Sequence, residues 1–226
     1  MIPRIGLDLE PGTAAMRVIP GLDLLDIAYA ATHGGAQIII APARLLFESE
    51  DYDPGLFDRP GLPLFAVKAE PTDLDRLPAL GGAADRIVIA GERNLPVLDP
   101  QSAAESARRG AAAGQDIGVL IEPDAAALKE ISRARVNWAY FSTLRAFESA
   151  TSEEAEAEIA RLTSAALAAN RLNLRTALWG PTGRHLPAAL CAIPYVEEVY
   201  PTPDLWAMAL RSGWERAVAD YARLMR

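Results

Sequence analysis

Three ionisable side chains stand at or just after the ends of short apolar segments, where a folded chain can present them for chemistry. Asp8 ends RIGLD, Lys68 follows LPLFAV and Glu92 follows DRIVIAG. Carboxylates such as Asp8 and Glu92 accept and donate protons in catalysis. A lysine amine attacks carbonyl carbon atoms when it is desolvated and uncharged. These three residues are therefore the candidates for catalysis.

Each candidate also has a purely structural explanation. An aspartate that closes a first strand often braces the neighbouring turn. If Phe65 and Val67 face the interior, the two-residue alternation of a strand turns Lys68 toward the outer helices. Glu92 and Arg93 can form a solvent-exposed ion pair in a loop. The residue types alone therefore leave both explanations open.

One of the two histidines, His185, lies in LNLRTALWGPTGRHLP, which spans residues 172–187. An imidazole at this place could serve as an acid–base group, because histidine titrates near neutral pH. The alternative is a plain turn between a strand and a helix, in which His185 takes no part in catalysis.

Short apolar runs alternate with helical patterns along the whole chain. The runs are continuous, which is typical of parallel strands covered on both faces. Thr151 and Glu154 form a capping box, and Gly213 interrupts the last helix. The predicted strands are 4–9, 37–42, 62–67, 85–90, 116–121, 137–142, 173–179 and 196–200, and the predicted helices are 24–35, 101–114, 151–170 and 204–226.

This order of elements predicts an α/β fold, a single (β/α)8 TIM barrel over residues 1–226 with extra short helices. The alternative is an open doubly wound sheet, but no G-x-G-x-x-G motif follows the first strand. In a TIM barrel the active site lies at the C-terminal ends of the strands. Asp8, Lys68 and Glu92 all fall at that end, which is why their chemistry is of interest.

Composition excludes several classes of function. There are 22 Lys and Arg against 30 Asp and Glu, with a formal charge of -8 and no basic run, so nucleic acid is not an expected partner. Cys191 is the only cysteine, which excludes an internal disulfide and a cysteine-rich zinc site. No apolar run approaches the roughly 20 residues that span a bilayer, and MIPRIGLDLEPG is not typical of a secretory signal. We expect a cytoplasmic protein that binds no membrane and no metal.

Several segments have a familiar spacing: GLDLE, AATHGGAQIII, VLIEPD, EAEIARLTSAALAANRLNLR, ALCAIPYVEEVY and WERAVADYARLM. With them the chain resembles, nearly end to end, the family of pyridoxine 5'-phosphate synthase. The resemblance implies a TIM barrel and, with the helical C-terminal segment, a homo-oligomer. It also implies the joining of 1-deoxyxylulose 5-phosphate to 3-amino-2-oxopropyl phosphate, without a metal or an organic cofactor.

The family's active-site positions are largely replaced in this chain. The first strand of the family ends Asn-x-Asp-His, and the matching positions hold Gly6, Asp8 and Leu9, so only the aspartate remains. The His, Arg and later His of the second strand fall on Ala41, Ala43 and Glu48.

The later strands also lack most of the active-site residues of the family. A family glutamate on the third strand falls on Phe65, and one on the sixth falls on Tyr140, with the following His-Thr on Ser142-Thr143. The Gly-His-Gly of the seventh strand falls on Trp179-Gly180-Pro181, so its acid–base imidazole is missing. His185 aligns with a second family histidine in the next helix, and we interpret it as a side chain at a helix start.

After the eighth strand, the family binds a substrate phosphate on N–H groups at a helix N-terminus. Here the chain reads Tyr200-Pro201-Thr202-Pro203-Asp204. The two prolines remove two amide donors. We expect Asp204 to cap the helix and to place a negative charge where the phosphate would bind.

Positioned acids and bases each contribute about 10²–10⁴-fold to a rate, so their loss predicts no useful ring closure. The replacements predict an apolar, aromatic pocket for a small ligand or a protein partner. Its predicted binding residues are Asp8, Phe65, Tyr140, Thr143, Trp179 and Tyr200. An alternative of equal weight is that bulky side chains merely fill the former substrate pocket, which then binds no ligand. A further alternative is an enzyme of a different reaction, or residual vitamin B6 biosynthesis, that uses Asp8, Glu92 or Lys68.

Overall fold

Eight short parallel strands close into a barrel, with neighbours in chain order and β8 paired to β1. The computed structural model describes residues 2–49, 52, 54–57, 61–80, 83–91, 95–97, 99–110, 115–134 and 136–226. Each strand overlaps the segment predicted for it, and the TIM barrel is confirmed. The strands are β1 Arg4–Asp8, β2 Ile38–Pro42, β3 Leu64–Ala69, β4 Arg86–Ile89, β5 Asp116–Ile121, β6 Trp138–Ser142, β7 Arg175–Trp179 and β8 Val196–Tyr200.

Helices follow the strands on the outside of the barrel. The Thr151 side chain accepts a hydrogen bond from the Glu154 N–H and the capping box at the start of α7 is confirmed. Gly213, at φ 79°, separates α9 from α10, as the sequence predicts. The helices are α1 Glu10–Met16, α2 Leu24–His33, α3 Ala43–Glu48, α4 Pro100–Gly110, α5 Ala125–Ser132, α6 Leu144–Glu148, α7 Ser152–Arg171, α8 Pro187–Cys191, α9 Thr202–Ser212 and α10 Trp214–Leu224.

The helix predicted over 101–114 ends at Gly110, and residues 111–114 lie outside the described residues. Short 3-10 turns at Pro54–Leu56 and Leu74–Leu80 flank β3. None of the helices in the described ranges is both long enough and apolar enough to cross a bilayer.

The closed sheet divides the buried side chains into two sets. Outward side chains such as Ile39 and Val67 pack beneath the helices. Inward side chains such as Ile38, Ile40 and Ala66 meet across the lumen of the barrel. The two sets follow from the alternation of side chains along a strand, and they decide which residues can reach a site on the barrel axis.

Candidate functional site

Four aromatic rings fill the lumen. Trp179 and Tyr200 stack with centroids 4.9 Å apart and planes 20° apart, and Tyr140 meets both rings edge-on or tilted, at 5.9 and 5.5 Å. Trp138 completes the set below Tyr140. All four side chains are buried. The predicted apolar, aromatic interior is therefore present, but its rings pack against one another.

Two glycines provide the room for these rings. A Cβ added at Gly6 would lie 2.1 Å from Cε1 of Tyr200, and one at Gly118 would lie 2.3 Å from Cε2 of Tyr140. Both contacts are far shorter than van der Waals separation. Glycine on β1 and β5 is therefore a packing requirement of the aromatic lumen.

A buried ionic network lies below the rings, and sequence reasoning missed it. Arg86 Nη1 donates to Glu198 Oε2 at 2.7 Å and to the Tyr140 hydroxyl at 2.8 Å. The Tyr200 hydroxyl donates to the same Glu198 oxygen at 2.6 Å, and Arg4 pairs with the other oxygen. The Arg86 guanidinium also lies 3.9 Å from the centre of the Trp138 ring.

The protonation of this network follows from its burial. Desolvation raises the pKa of Tyr140 to about 12, against the opposing effect of the Arg86 charge. Desolvation also raises the pKa of Tyr200 well above its ordinary value. Both phenols are therefore neutral hydrogen-bonding groups. The network holds two cations against one carboxylate, with Arg86 and Glu198 buried and Arg4 partly exposed, and we interpret its role as structural.

At the C-terminal mouth, Lys68 forms ion pairs with both Asp8 and Glu10, and Arg44 pairs with Glu10 from outside. Asp8 is fully buried, and burial raises its pKa, while the Lys68 charge opposes the rise and Glu10 adds to it. The Asp8 carboxylate also accepts the Glu10 N–H at 2.9 Å. Asp8 thus braces a turn and shares an ion pair at once. Lys68 Nζ lies 5.6 Å from the centre of the Trp179 ring.

The orientation expected for β3 is wrong. Phe65 points outward and stacks on Phe57 with centroids 4.6 Å apart, whereas Ala66 and Lys68 face the lumen. The expectation depended on the match of a family glutamate to Phe65, which placed the inward positions one residue too early. Phe65 therefore cannot line a pocket on the barrel axis, and Lys68 can.

The remaining predicted residues are not brought together at one site. The Thr143 hydroxyl is buried and donates to the Pro181 carbonyl at 2.7 Å, so it ties β6 to the loop after β7. His185 is exposed in the turn before α8, away from the barrel axis. Glu92 lies outside the described residues. Asp8, Lys68 and Trp179 meet at the mouth, above Tyr140 and Tyr200.

Space at the mouth is small. The cavity beside Lys68 measures about 10 Å³, which is room for one water molecule. A groove of about 480 Å³ lies off the axis, on the same end of the barrel, between α6, the start of α7 and the loop after β7. Its floor is apolar, and the Phe147 side chain there is 47% exposed. The residues that line it include Ala146, Phe147, Ile159, Thr182, His185 and Leu186.

Asp204 occupies the corner where barrels of this type often bind phosphate. Its carboxylate accepts the Thr182 N–H at 2.7 Å, the Thr182 hydroxyl at 3.0 Å and the Gly183 N–H at 3.1 Å. Gly183 has φ 61°, and two successive N–H groups in such a turn form an anion-binding concavity. The hydrogen-bond donors of the loop after β7 are therefore already bound to the carboxylate of Asp204.

The predicted role of Asp204 as a helix cap is wrong. α9 begins at Thr202 after the cap residue Pro201, which has no side-chain cap, and Asp204 is the third helical residue. The Thr202 hydroxyl accepts the Asp8 N–H at 3.1 Å, so this corner is joined to β1 as well.

Among the described residues, no group of three or more His, Cys, Asp or Glu side chains could hold a metal ion. The charged cluster at the mouth contains Lys68 between its carboxylates, and this cation occupies the place that a metal would take.

Solved structures of several enzymes have the same fold. Orotidine 5'-monophosphate decarboxylase from Methanocaldococcus jannaschii has a TM-score of 0.66 at 12% identity and covers 100% of both chains. Tryptophan synthase from M. tuberculosis has a TM-score of 0.64 at 13% identity, over 100% of this chain and 94% of that one. Triosephosphate isomerase from Bartonella henselae has a TM-score of 0.58 at 14% identity, over 99% and 100%. At such identities the likeness shows the fold alone.

No curated protein sequence matches the chain significantly. The model of one protein family, described as pyridoxal phosphate biosynthesis protein PdxJ, matches residues 92–226, which is more than half of the chain. The match includes β5 to β8 and the terminal helices, where the resemblance in sequence is strongest. The chain belongs to the PdxJ family of pyridoxal phosphate biosynthesis proteins.

Proposed function

We propose that this PdxJ-family barrel does not perform the family's ring closure and instead binds a small, partly apolar ligand at the C-terminal end of the barrel. The observation that carries the first part is the Asp204 carboxylate on the N–H groups of Thr182 and Gly183. A phosphate dianion at that corner would have to displace a carboxylate and would meet its negative charge. Both substrates of the ring closure carry a phosphate, so loss of this subsite opposes their binding.

The contents of the lumen support the same proposal. Gly180 stands where the family has its acid–base histidine, and the preceding Trp179 stacks on Tyr200 above the buried Arg86–Glu198 pair. A cavity of about 10 Å³ at the mouth cannot admit two phosphorylated substrates. Proton transfers in the condensation need groups that reach the reacting atoms. Asp8 is buried and ion-paired to Lys68, so it is poorly placed for that work.

The groove over Phe147 supports the second part. Its volume of about 480 Å³ lies within the range of small-molecule sites, roughly 300–1,000 Å³. An exposed phenylalanine on an apolar floor favours an apolar ligand surface, and the exposed Glu156 and His185, which also line the groove, offer polar contacts. The predicted axial pocket of Phe65, Tyr140 and Trp179 gives way in this proposal to the off-axis groove.

Native mass spectrometry of the purified protein tests ligand binding. We expect a small-molecule adduct on the wild type that is lost in Phe147→Asp, because a charge on the groove floor opposes an apolar ligand. Val18→Asp is the matched control, since Val18 is 77% exposed in the turn after α1 and lies outside the groove. An adduct of equal abundance on both variants, or none on the wild type, would contradict the site.

A second candidate function is an enzyme of a different reaction with Lys68 as the working group. The observation that favours it is a buried lysine beside a buried aspartate at the ends of β1 and β3, where TIM-barrel chemistry occurs. Against it, the Lys68 amine is held in ion pairs with both Asp8 and Glu10, so it is not available to attack a carbonyl carbon.

Borohydride reduction in the presence of glyceraldehyde separates these candidates. The chain has one other lysine, Lys129, which is exposed on α5 and serves as an internal comparison. Faster trapping on Lys68 than on Lys129, found by peptide mapping, would support the enzyme. Trapping on Lys129 alone would contradict a role for Lys68 as a nucleophile.

We also propose a cytoplasmic homo-oligomer. The 82% exposed Leu210 follows Trp206 by one turn of α9, and Trp206 packs on Trp214 with centroids 4.6 Å apart. An exposed leucine next to an aromatic pair favours a contact with another subunit. Light scattering after size-exclusion chromatography tests it, and a monomeric mass for the wild type would contradict it.

A further inference from the structure

A larger cavity lies at the opposite, N-terminal end of the barrel. It measures about 630 Å³ and is bounded by the end of α7, the start of β7 and the turn from α8 into β8. The side chains that matter to its chemistry are Asn170, Asn173, Arg175, Cys191, Tyr195 and Glu197. It shares no lining residue with the groove over Phe147.

Among the non-glycine residues that the structure describes, left-handed backbone conformations occur only at this cavity. Asn173 at φ 59° and Tyr195 at φ 66° are the non-glycine residues with positive φ in the described chain, and both line the cavity wall. Asparagine tolerates the left-handed region, but a bulky tyrosine there is strained. Tyr195 is 52% exposed, so burial of its ring does not explain the strain. Strain of this kind is often associated with a binding surface.

The charge of the wall is balanced. Arg175 and Glu197 are its charged residues, and they pair through two guanidinium nitrogens, with Nε of Arg175 at 3.1 and 3.0 Å from the two carboxylate oxygens. The Arg175 guanidinium also lies 4.0 Å from the centre of the Trp138 ring. Burial raises the pKa of the Cys191 thiol to about 12, so the thiol is neutral at physiological pH. The wall therefore offers no net charge to a ligand.

The neutral side chains of the wall determine which kind of ligand the cavity could bind. The side-chain amides of Asn170 and Asn173 each offer both a donor and an acceptor. The exposed Tyr195 ring offers a flat face for stacking. We propose that this cavity is a second binding site, for an uncharged planar molecule with amide-like hydrogen-bonding groups. This inference does not depend on the function proposed for the other end of the barrel.

Cys191 provides a native reporter, because it is the only cysteine in the chain and it lines the cavity. The probes are nicotinamide and uracil, which are neutral planar amides, and nicotinate, which has nearly the shape of nicotinamide but is an anion. The rate of Cys191 alkylation by iodoacetamide is followed by intact mass. A neutral probe at about nine times its Kd occupies about nine-tenths of the sites, and alkylation should slow about tenfold. Nicotinate should have little effect.

Variants separate binding from structure. Tyr195→Gly removes the stacking face and relieves the strained backbone, so protection by the probes should be lost while the melting temperature stays equal or rises. Val18→Ala, in the turn after α1, is the control and should keep full protection. The proposal is overturned if neither neutral probe protects Cys191, if nicotinate protects equally, or if Tyr195→Gly retains protection. A marked fall in the melting temperature of Tyr195→Gly would assign the tyrosine a structural role instead.

Discussion

Replacing Asp204 with alanine should convert the corner between β7 and α9 into a site for phosphate. The carboxylate of Asp204 accepts hydrogen bonds from two successive N–H groups and one hydroxyl, at 2.7, 3.1 and 3.0 Å. Alanine removes the anion and leaves these donors directed at an empty position. A phosphate ion has the charge and the oxygen atoms to replace it.

The cost of the change follows from the lost contacts. A hydrogen bond to a charged group contributes about 1.5–3 kcal/mol when it is well shielded. Asp204 is half-buried, so water replaces part of the loss, and we expect the free energy of unfolding to fall by about 2–4 kcal/mol in total. For a chain of this size, each kcal/mol lowers the melting temperature by about 2–4 °C, so the expected decrease is about 4–16 °C.

Phosphate should restore part of the loss in the Asp204→Ala variant. If phosphate binds with a Kd of about 5 mM, a concentration of about 50 mM adds about 1.4 kcal/mol, or about 3–6 °C. Thermal denaturation in phosphate is compared with sodium chloride of equal ionic strength. The wild type and Asp220→Ala are the controls, because Asp220 is a surface carboxylate on α10 whose loss changes the net charge equally.

The reasoning would be refuted by either of two results. In one, Asp204→Ala is as stable as Asp220→Ala, which would mean that the carboxylate does not hold the loop. In the other, phosphate stabilises all three proteins equally, which would mean that its effect is general exclusion from the protein surface and not binding at this corner.

Three further predictions concern the lumen. Glu198→Gln, which removes the charge from the buried ion pair, should lower the free energy of unfolding measured in urea by about 3–5 kcal/mol. The partly exposed Glu197→Gln should lower it by less than about 1 kcal/mol, and equal losses would contradict the network. Gly6→Ala should cost at least about 1–3 kcal/mol because its Cβ would overlap Tyr200, and most of this cost should vanish in a Tyr200→Leu background. The free energy of unfolding should fall as pH rises from 10.0, the ordinary tyrosine pKa, to about 12. Over that interval Tyr140 ionises in the unfolded chain but stays protonated in the folded protein. Tyr140→Phe should therefore make the fall shallower.

The fold could be predicted because its signals are local. Continuous apolar runs mark strands that are covered on both faces, and the Thr151–Glu154 capping box and Gly213 mark helix ends. The same continuity hides which side chains face the lumen, because a fully buried strand shows no polar alternation. This is why Lys68 was expected to face outward, and why Arg86 and Glu198 were missed.

The candidate site depends on contacts between residues far apart in the chain. Aspartate is a residue type that commonly caps helices. Only the folded structure shows that the Asp204 carboxylate instead accepts hydrogen bonds from the loop after β7. Asp8 could be predicted as a site residue from its place at the end of β1. Lys68 was also a candidate, but its ion pair with Asp8 could not be predicted, because it joins strands β1 and β3 across the mouth of the barrel. One sequence signal was available for the lumen: Gly6 and Gly118 interrupt otherwise apolar strands, and each lies beneath a tyrosine ring.

The most direct test of the central claim is turnover. The purified protein is incubated with 1-deoxyxylulose 5-phosphate and 3-amino-2-oxopropyl phosphate, and pyridoxine 5'-phosphate is quantified by mass spectrometry. A barrel with Gly180 at the acid–base position and Asp204 in the anion corner should form no product above the level without protein. Product that increases with time and with protein concentration, and that is lost in heat-denatured protein, would contradict the account.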